Sequence, residues 1–440
     1  MCPLKTTQGG IMTPVRPRGG PFSRVVPMSV LKPFRAHRPR PELAAQVAAV
    51  PYDVVNTQEA AELAKGNPYS FLHVGRPEID LPADIDIHAD AVYAKGVSNL
   101  LGLISSGALF QENTPCLYVY QQRMGDHVQA GLVGLCSVQE YENGQIKRHE
   151  FTRKDKEDDR TRHVTEQAAN AEPVFLAYKA VPYIDHIVND VRKQVPMYDI
   201  TTPDGIGHTV WVVSGETVIY ELVHLFNGVP ALYIADGHHR TAAAIRYGQA
   251  RRAEAGGMGT GDEPYESFMA VLFPHDQLKI MDYNRVVKDL NGHSPEAFLE
   301  KVREKFDVAP CADRSPKGPT SFGMYLEGTW YELKAKPGTY PASDPVRGLD
   351  VSILQENLLA PILDIQDPRT STRIDFIGGI RGMDELERRV KLDCKVAFAL
   401  YPTSLTQLMD VADAGEVMPP KSTWFEPKLR SGLLVRMYEG

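Results

Sequence analysis

Residues 231–245 restrict the possible folds of this chain more than any other stretch. The apolar run Ala231–Ala235 predicts a strand, and it is followed by Asp-Gly-His-His-Arg and by an alanine-rich run typical of a helix. A glycine lets backbone approach a ligand closely, and the helix after it directs free N–H groups and its positive dipole end toward the same point. The segment therefore predicts a strand-to-helix unit with an anion site at the turn.

The side chains of this turn strengthen the prediction of a phosphate site. His238, His239 and Arg240 add hydrogen-bond donors, and an arginine can bind a phosphate through two parallel hydrogen bonds. Asp236, at the end of the strand, can bind a cation or accept the proton of a hydroxyl. The alternative is an aspartate helix cap beside surface histidines. Two adjacent histidines followed by arginine favour the functional interpretation.

Strands and helices alternate through the rest of the chain. Apolar residues at helical spacing predict a helix over 88–106, and Phe71–Val74 predicts a strand. The runs Cys116–Gln121 and Ala130–Tyr141, separated by a turn at Gly125-Asp126, predict a hairpin. Because hairpins argue against a purely parallel sheet, the predicted class is α+β, with mixed sheets and helices.

The sequence divides into three regions. Residues 1–27, rich in proline and glycine, predict a disordered leader; a wrongly chosen start codon or an organelle transit peptide are the alternatives. Residues 28–265 form a predicted α/β region that carries the phosphate loop. Residues 266–440 form a second α/β region, which we expect to pack on the first.

Charge argues against a nucleic-acid polymer as the partner. The 48 lysines and arginines and 56 aspartates and glutamates give a net charge of −8. Residues 1–41 hold eight cations and no acid, so residues 42–440 carry −16. Binding along a nucleic acid needs a broad basic surface. The net charge therefore disfavours a nucleic-acid partition protein. It does not argue against a local site for a small anion.

Composition also limits the compartment. Five scattered cysteines without a C-x-x-C pair predict reduced thiols, and no run approaches the roughly 20 apolar residues of a membrane span. We therefore expect a cytoplasmic protein with no membrane contact. The oligomeric state stays open.

Because G-x-x-x-x-G-K-[ST] and H-E-x-x-H are both absent, the sequence predicts neither a P-loop nor a zincin site, and no metal site is assigned with certainty.

The densely charged stretch 147–163 is a second candidate. Glu150 could act as a general base or bind Mg²⁺, with His149 beside it as a substrate or metal candidate. Arg160 and Lys156 could hold phosphate oxygens. The alternative is a solvated charged loop, which is the usual meaning of such a run.

Two further positions could contribute to an anion site. Lys421, Ser422 and Thr423, with Lys428 just beyond, offer two cations and two hydroxyls on a loop stiffened by prolines, which lowers the entropy cost of ordering it around an anion. The alternative is a packing loop in which the next two aromatic residues enter the core. Asp53 is a possible metal or hydroxyl contact, or a turn residue.

The segment that ends in Asp-Gly-His-His-Arg resembles the signature of the family called domain of unknown function 1015. Further matches from Met28 onward keep the same order: Pro51–Val54, Asn67-Pro68, His149-Glu150-x-Thr152, Asp159-Arg160, His208-Thr209-x-Trp211 and Met418–Leu429. Tyr283-Asn284-Arg285 departs from the Thr-His-Arg expected there. The turn is also similar to a short element of the ParB/sulfiredoxin superfamily and its free serine kinases, in which it binds nucleotide phosphates.

These resemblances and residues together predict a phosphotransferase that uses ATP or ADP with Mg²⁺ and acts on a small hydroxyl metabolite such as free serine. The alternative is a non-catalytic, ParB-like module that binds a nucleotide or a phosphometabolite. The predicted catalytic residues are Glu150 and Asp236. The predicted phosphate or nucleotide contacts are Gly237, His238, His239, Arg240, Arg160, Lys421, Ser422 and Thr423.

Overall fold

The computed structural model of the protein describes residues 29–257 and 259–438. The predicted leader, residues 1–27, lies outside the described residues. The α-helices are α1 (Ala44–Val47), α2 (Thr57–Ala64), α3 (Leu72–Gly75), α4 (Asp90–Ser105), α5 (Val138–Glu142), α6 (Lys154–Gln167), α7 (Pro182–Val191), α8 (Glu216–Phe226), α9 (His238–Glu254), α10 (Pro295–Lys305), α11 (Asp350–Leu354), α12 (Gly382–Leu392) and α13 (Leu405–Asp413).

Strands account for most of the remaining regular structure. They are β1 (His37–Pro39), β2 (Leu109–Gln111), β3 (Leu117–Met124), β4 (His127–Ser137), β5 (Ile146–Lys147), β6 (Ala169–Asn170), β7 (Val174–Tyr178), β8 (Tyr198–Thr201), β9 (Gly207–Val213), β10 (Leu232–Asp236), β11 (Ser267–Pro274), β12 (Lys279–Met281), β13 (Tyr283–Val287), β14 (Phe306–Pro310), β15 (Ser321–Leu326), β16 (Thr329–Ala335), β17 (Ile374–Gly378), β18 (Val396–Leu400), β19 (Trp424–Glu426) and β20 (Arg436–Met437).

The larger sheet has eight strands in the order β5-β10-β7-β11-β4-β3-β9-β8. The pairs β5–β10 and β7–β11 are parallel, and the other neighbours are antiparallel. The predicted hairpin is confirmed: Met124 pairs with His127 across a turn in which Gly125 has a positive φ of 57°. Mixed sheets with helices confirm the α+β class.

The smaller sheet has six antiparallel strands in the order β14-β16-β15-β18-β13-β17. A single apolar core joins the two sheets. It includes Phe175 and Met269 from the larger sheet and Phe322 and Phe398 from the smaller one. Burial of these aromatic and apolar side chains holds the sheets together.

The larger sheet extends past the region boundary that the sequence suggests. Strand β11 begins two residues after position 265, yet it lies between β7 and β4 inside this sheet. A strand that follows a glycine-rich loop has the local sequence pattern of the start of a new unit. Its strand partners lie far earlier in the chain, so the local sequence does not reveal the pairing. The C-terminal residues also return to the first region, where Val435 pairs with His37 and β20 pairs with β6.

Two predicted strands differ from the structure. Residues 72–75 form α3 rather than a strand, because Phe71–Val74, three apolar residues and a histidine, is too short to fix a periodicity and can be buried as a helical turn. The strand predicted to reach Tyr141 ends at Ser137. The Ser137 hydroxyl accepts a hydrogen bond from Gln139 N at 3.2 Å and so begins α5.

The described part of the chain contains four cysteines. Cys116, Cys136, Cys311 and Cys394, the cysteines within the described ranges, are unpaired. Across the same ranges, the helices are all too short or too polar to span a bilayer.

Candidate functional site

A cleft of about 640 Å³ opens at the C-terminal end of β10. Its walls come from four segments: residues 52–56, the stretch from Glu150 to Lys156, the turn 235–239 and the segment 421–428. The cleft thus joins four segments that the sequence singles out, although they are separated by up to about 370 positions. Arg76 and Tyr283 complete the lining.

The turn between β10 and α9 has the geometry that the sequence predicts. Gly237 has a φ of 87°, a left-handed conformation that favours glycine, and it caps α9 without a side-chain hydrogen bond. A Cβ at this position would lie 3.0 Å from Arg240 Nε. The helix begins at His238. Because first-turn N–H groups have no intrahelical acceptor, this end of α9 offers free donors to the cleft.

Asp236 sits at the floor of the cleft between two cations. Its Oδ2 accepts a hydrogen bond from Lys428 Nζ at 3.1 Å and lies 3.6 Å from Arg240 Nη2. Burial opposes ionisation, yet Lys428 and Arg240 lower the pKa of Asp236 far below its usual value. This carboxylate therefore stays charged and is a weak base, better suited to bind a cation or a hydroxyl than to remove a proton.

Arg240 lies beneath the cleft rather than in its wall. It is 8% exposed, and its Nη1 donates to the carbonyl of Pro173 at 2.6 Å. Its Nη2 is 3.7 Å from Asp53 Oδ2. Burial disfavours the charged guanidinium, but Asp53, Asp236 and Glu172 outweigh this and raise the pKa of Arg240. The side chain is thus engaged with carboxylates on the side where a phosphate would bind.

His149, Glu150 and His238 meet at one side of the cleft. The two imidazole rings pack edge to face with centroids 4.6 Å apart, and His238 Nδ1 lies 3.9 Å from Glu150 Oε2. Burial lowers the pKa of His149 to about 4 and the pKa of His238 well below its usual value. Burial also raises the pKa of Glu150. Both rings are therefore neutral near pH 7, and the carboxylate is a stronger base than an exposed one.

The neighbouring histidine has a different environment. His239 Nε2 accepts a hydrogen bond from the backbone N–H of Arg153 at 3.0 Å. This bond connects the first turn of α9 to the loop before α6. Burial lowers the pKa of His239, so it too is neutral near pH 7.

The loop that follows Pro420 supplies the opposite wall of the cleft. Lys421 is exposed and has a φ of 59°, which is uncommon for a residue with a side chain. Its Nζ lies 5.6 Å from the ring centroid of Tyr283. Thr423 Oγ1 is 3.4 Å from His149 Nε2. Phe425 enters the core, so the loop serves both packing and the cleft.

Three of the predicted phosphate contacts do not line the cleft: Arg240, described above, Arg160 and Ser422. Arg160 is buried with its guanidinium 3.8 Å from the ring centroid of Tyr52, and its Nη2 is 2.7 Å from Asp159 Oδ2. Ser422 is buried, and its hydroxyl donates to the carbonyl of Pro419 at 2.6 Å. Arg160 therefore supports the Tyr52 wall from behind, and Ser422 shapes the loop that presents Lys421.

Sequence reasoning did not identify the buried glutamines that hold Lys428. Gln122 and Gln129, both fully buried in the β3–β4 hairpin, form a pair in which Gln129 Nε2 donates to Gln122 Oε1 at 3.0 Å. Gln122 Nε2 in turn donates to the carbonyl of Lys428 at 2.8 Å. The sequence signal that could have identified these glutamines is the presence of polar amides within apolar strands, since a buried amide needs hydrogen-bond partners.

Residues 283–285, which depart from the family pattern, also contribute to the site. Arg285 Nη2 donates to the carbonyl of Lys421 at 2.9 Å, and Tyr283 lines the cleft. Asn284 is fully buried and accepts a hydrogen bond from Leu400 N at 3.0 Å. These residues therefore position the 421–428 loop, with asparagine in a structural role.

Positive charge is concentrated in the cleft. Five cationic side chains line it, against three carboxylates, in a chain whose net charge is −8. The cations are Arg76, Arg153, Lys156, Lys421 and Lys428; the carboxylates are Asp53, Glu150 and Asp236. This balance favours a small anionic ligand, with carboxylates available for an accompanying cation.

Comparison with known proteins gives a family and several distant structures. A profile of the family described as "Protein of unknown function (DUF1015)" matches residues 31–352. No curated protein matches the chain. Each of three similar solved structures aligns with 69% of this chain.

The first of these structures is a conserved hypothetical protein from Pyrococcus furiosus (14% identity, 95% of that chain, TM-score 0.35). The second is a free serine kinase in complex with AMP (15% identity, 91% of that chain, TM-score 0.35). The third is SbnI with C-terminal truncation from Staphylococcus aureus (11% identity, 87% of that chain, TM-score 0.36).

Proposed function

This chain belongs to the DUF1015 family, and we propose that its cleft binds ATP or ADP with Mg²⁺ and transfers a phosphoryl group to the hydroxyl of a small metabolite. Free serine is the acceptor implied by the resemblance of residues 236–240 to the turn of free serine kinases. One observation carries the proposal: the N-terminus of α9 and the side chains of Lys421 and Lys428 face the same cleft. Helix N-termini and lysines are both common phosphate-binding groups.

The phosphates would lie against the first turn of α9. His238 and His239 would offer backbone N–H groups there, and Lys421 would approach from the opposite wall. Within the described part of the chain, Lys421 Nζ has no carboxylate within 4.0 Å, so its charge is available to a ligand. Lys428 would share its charge between Asp236 and the ligand.

Glu150 would act as the general base. Burial raises its pKa, which favours proton transfer from a hydroxyl. The hydroxyl oxygen would form a bond to the terminal phosphorus as the bond from that phosphorus to the bridging oxygen breaks. The proton would pass to Glu150, and the shortened nucleotide would leave with the electron pair. Positioning and charge neutralisation would supply most of the catalysis.

Asp53 and Asp236 fit the requirements of a Mg²⁺ site. Both carboxylates line the cleft, and both have an oxygen within 3.7 Å of Arg240 Nη2, which holds them on the same side. Carboxylate oxygens together with substrate phosphates are the usual ligands of Mg²⁺. When bound, the ion would neutralise phosphate charge.

A nucleotide-binding module without turnover is the second candidate. Lys428 and Arg240 already face Asp236, so a ligand that draws Lys428 away would break an existing ion pair. Such an exchange could move the 421–428 segment and act as a conformational switch.

A turnover assay separates the two candidates. The full chain is incubated with ATP or ADP, Mg²⁺ and serine, and phosphoserine is detected by mass spectrometry. We expect product from the natural sequence and none above background from Glu150→Gln, which removes the base and preserves side-chain size. Lys334→Ala, an exposed lysine of β16 outside the cleft, is the matched control and should keep full turnover.

The assay has two contrary outcomes. Phosphoserine formed at an unchanged rate by Glu150→Gln would refute the role of Glu150. Nucleotide-dependent thermal stabilisation without product from any small hydroxyl acceptor tested would favour the binding module.

A further inference from the structure

The cluster of His149, Glu150 and His238 has the composition of a transition-metal site. We propose that these three side chains bind a divalent ion of the zinc class at the edge of the cleft. One ligand atom from each residue lies within 4.8 Å of the other two. Two imidazoles with one carboxylate form a ligand set known from zinc and non-haem iron sites.

The three ligand atoms, which lie within 4.8 Å of one another, would draw closer to hold an ion. At zinc–ligand distances of about 2.0–2.1 Å, two ligand atoms of a tetrahedral site lie about 3.4 Å apart. His238 Nδ1 and Glu150 Oε2 are 3.9 Å apart. Glu150 is 40% exposed and can make this movement, whereas both histidines are fixed by burial. The ion would thus recruit the mobile carboxylate to two rigid imidazoles.

The histidines are also suited to metal binding by their surroundings. Each ring has one buried nitrogen without a hydrogen-bond partner: Nδ1 of His149 and Nε2 of His238. A buried polar atom without a partner is destabilising, and each of these buried rings keeps one such nitrogen. Burial favours the neutral ring, which is the form that binds metals.

The ligand types separate this site from the Mg²⁺ site of the proposed function. Imidazole nitrogens favour zinc, cobalt, nickel or iron, whereas the aspartate pair at residues 53 and 236 offers only oxygens, which favour Mg²⁺. Glu150 and His238 both line the cleft, so an ion held by them would keep a coordination position open to a ligand there.

Occupancy of this site has a consequence for phosphoryl transfer. A Glu150 carboxylate that binds a metal ion cannot accept a proton from a substrate hydroxyl. The ion and the proposed base function are therefore mutually exclusive, so zinc should inhibit any transfer that depends on Glu150. The metal site itself does not depend on nucleotide binding.

Cobalt provides a direct test, because bound Co²⁺ absorbs visible light with an intensity that reports its coordination. The metal-free full-length chain is titrated with Co²⁺ and then with Zn²⁺, without nucleotide. We expect one equivalent of Co²⁺ to bind and to be displaced by Zn²⁺. His149→Ala and His238→Ala should each weaken binding at least tenfold, while His186→Ala, an exposed histidine of α7 outside the cleft, should bind Co²⁺ as the natural sequence does.

Glu150→Gln keeps the test decisive if a histidine variant fails to fold, because this side chain is partly exposed. It should also weaken Co²⁺ binding at least tenfold, and circular dichroism would confirm its fold. Absence of a Co²⁺ spectrum in the natural chain, or equal binding by Glu150→Gln, would overturn the proposal. Nucleotide affinity is measured separately, on protein that has been stripped of transition metals and then given Mg²⁺. This measurement tests the proposed phosphate site independently of the Co²⁺ result.

Discussion

Gly237 is the residue on which the geometry of the phosphate turn depends. Its φ of 87° favours glycine, and an added Cβ would lie 3.0 Å from Arg240 Nε. We predict that Gly237→Ala lowers the free energy of unfolding by about 1–2 kcal/mol for the left-handed backbone, with a further loss from the contact with Arg240. Nucleotide affinity should fall with it. Chemical denaturation and calorimetry measure the two effects.

Gly125→Ala is the matched control for this prediction. Gly125 also has a positive φ, of 57°, but an added Cβ would meet no atom within 4 Å. It should show the backbone cost alone and leave nucleotide affinity unchanged. Equal losses of stability in the two variants would contradict the close approach between Gly237 and Arg240.

Glu140 should make the stability of the protein depend on pH. Burial raises its pKa to about 7, although Val30 N donates to the carboxylate at 2.6 Å. The folded state therefore holds this proton more tightly than the unfolded chain, whose glutamates titrate near 4.5. The stabilisation from the bound proton is complete below pH 4.5 and is lost as the pH rises through about 7.

The measurable consequence is a pH slope that one substitution removes. The loss from Glu140 amounts to about 3 kcal/mol, because one pKa unit corresponds to about 1.4 kcal/mol. Glu140→Gln mimics the protonated side chain and should flatten the slope of unfolding free energy between pH 4.5 and 7. A slope equal to that of the natural sequence would show that another group causes it.

At the scale of elements, the β3–β4 hairpin positions the lysine that approaches the cleft from the C-terminal segment. Gln122→Leu would leave the carbonyls of Pro427 and Lys428 without their amide donor. We predict a roughly tenfold weaker nucleotide affinity, because Lys428 would lose its fixed position. Gln121→Leu is the control, because Gln121 accepts a hydrogen bond from Arg192 instead. This variant should bind the nucleotide as the natural sequence does.

A double-mutant cycle shows whether Gln122 acts through Lys428. If it does, Gln122→Leu should change nucleotide affinity little once Lys428→Ala is present. Additive losses would mean that the glutamine affects binding by another route, such as a general loss of rigidity.

Local patterns predicted some elements of the site and missed others for an identifiable reason. The β10–α9 turn was predictable because strand, glycine and helix are adjacent in sequence, and the glycine specifies the turn. Arg160 was expected at a phosphate, but the structure places it against Tyr52 and Asp159, contacts that no spacing encodes. Phe71–Val74 shows the same limit, since a run of four residues is too short to distinguish a helix from a strand.

At the scale of the whole molecule, the two sheets behave as one packing unit. Phe175 of the larger sheet and Phe398 of the smaller one belong to a single core, and β11 continues the larger sheet past position 265. We expect one cooperative thermal transition with equal calorimetric and van't Hoff enthalpies. Two resolved transitions would contradict this expectation.

A core variant tests the same coupling. Phe398 is fully buried, and Phe398→Ala should cost about 3–5 kcal/mol. Because the core is shared, the whole transition should move to lower temperature in scanning calorimetry. A shift confined to part of the heat-capacity curve would show that the sheets unfold independently.

The same long-range packing explains why the complete cleft could not be derived from sequence. Lys428 reaches Asp236 only because the C-terminal segment returns to the first region, where Arg430 N donates to Tyr120 Oη at 3.1 Å. The net charge of the chain is compatible with a local anion site. It does not indicate which cations share a cleft.

Calorimetric titration with Mg·ATP and Mg·ADP tests the central claim most directly. The cleft should bind one of these nucleotides with a one-to-one stoichiometry. Lys421→Ala combined with Lys428→Ala should weaken that binding at least tenfold, since each charge-assisted hydrogen bond contributes about 1.5–3 kcal/mol. Lys334→Ala should bind as the natural sequence does. No binding of either nucleotide, or equal affinity in the double variant, would contradict the assignment of this cleft as a nucleotide phosphate site.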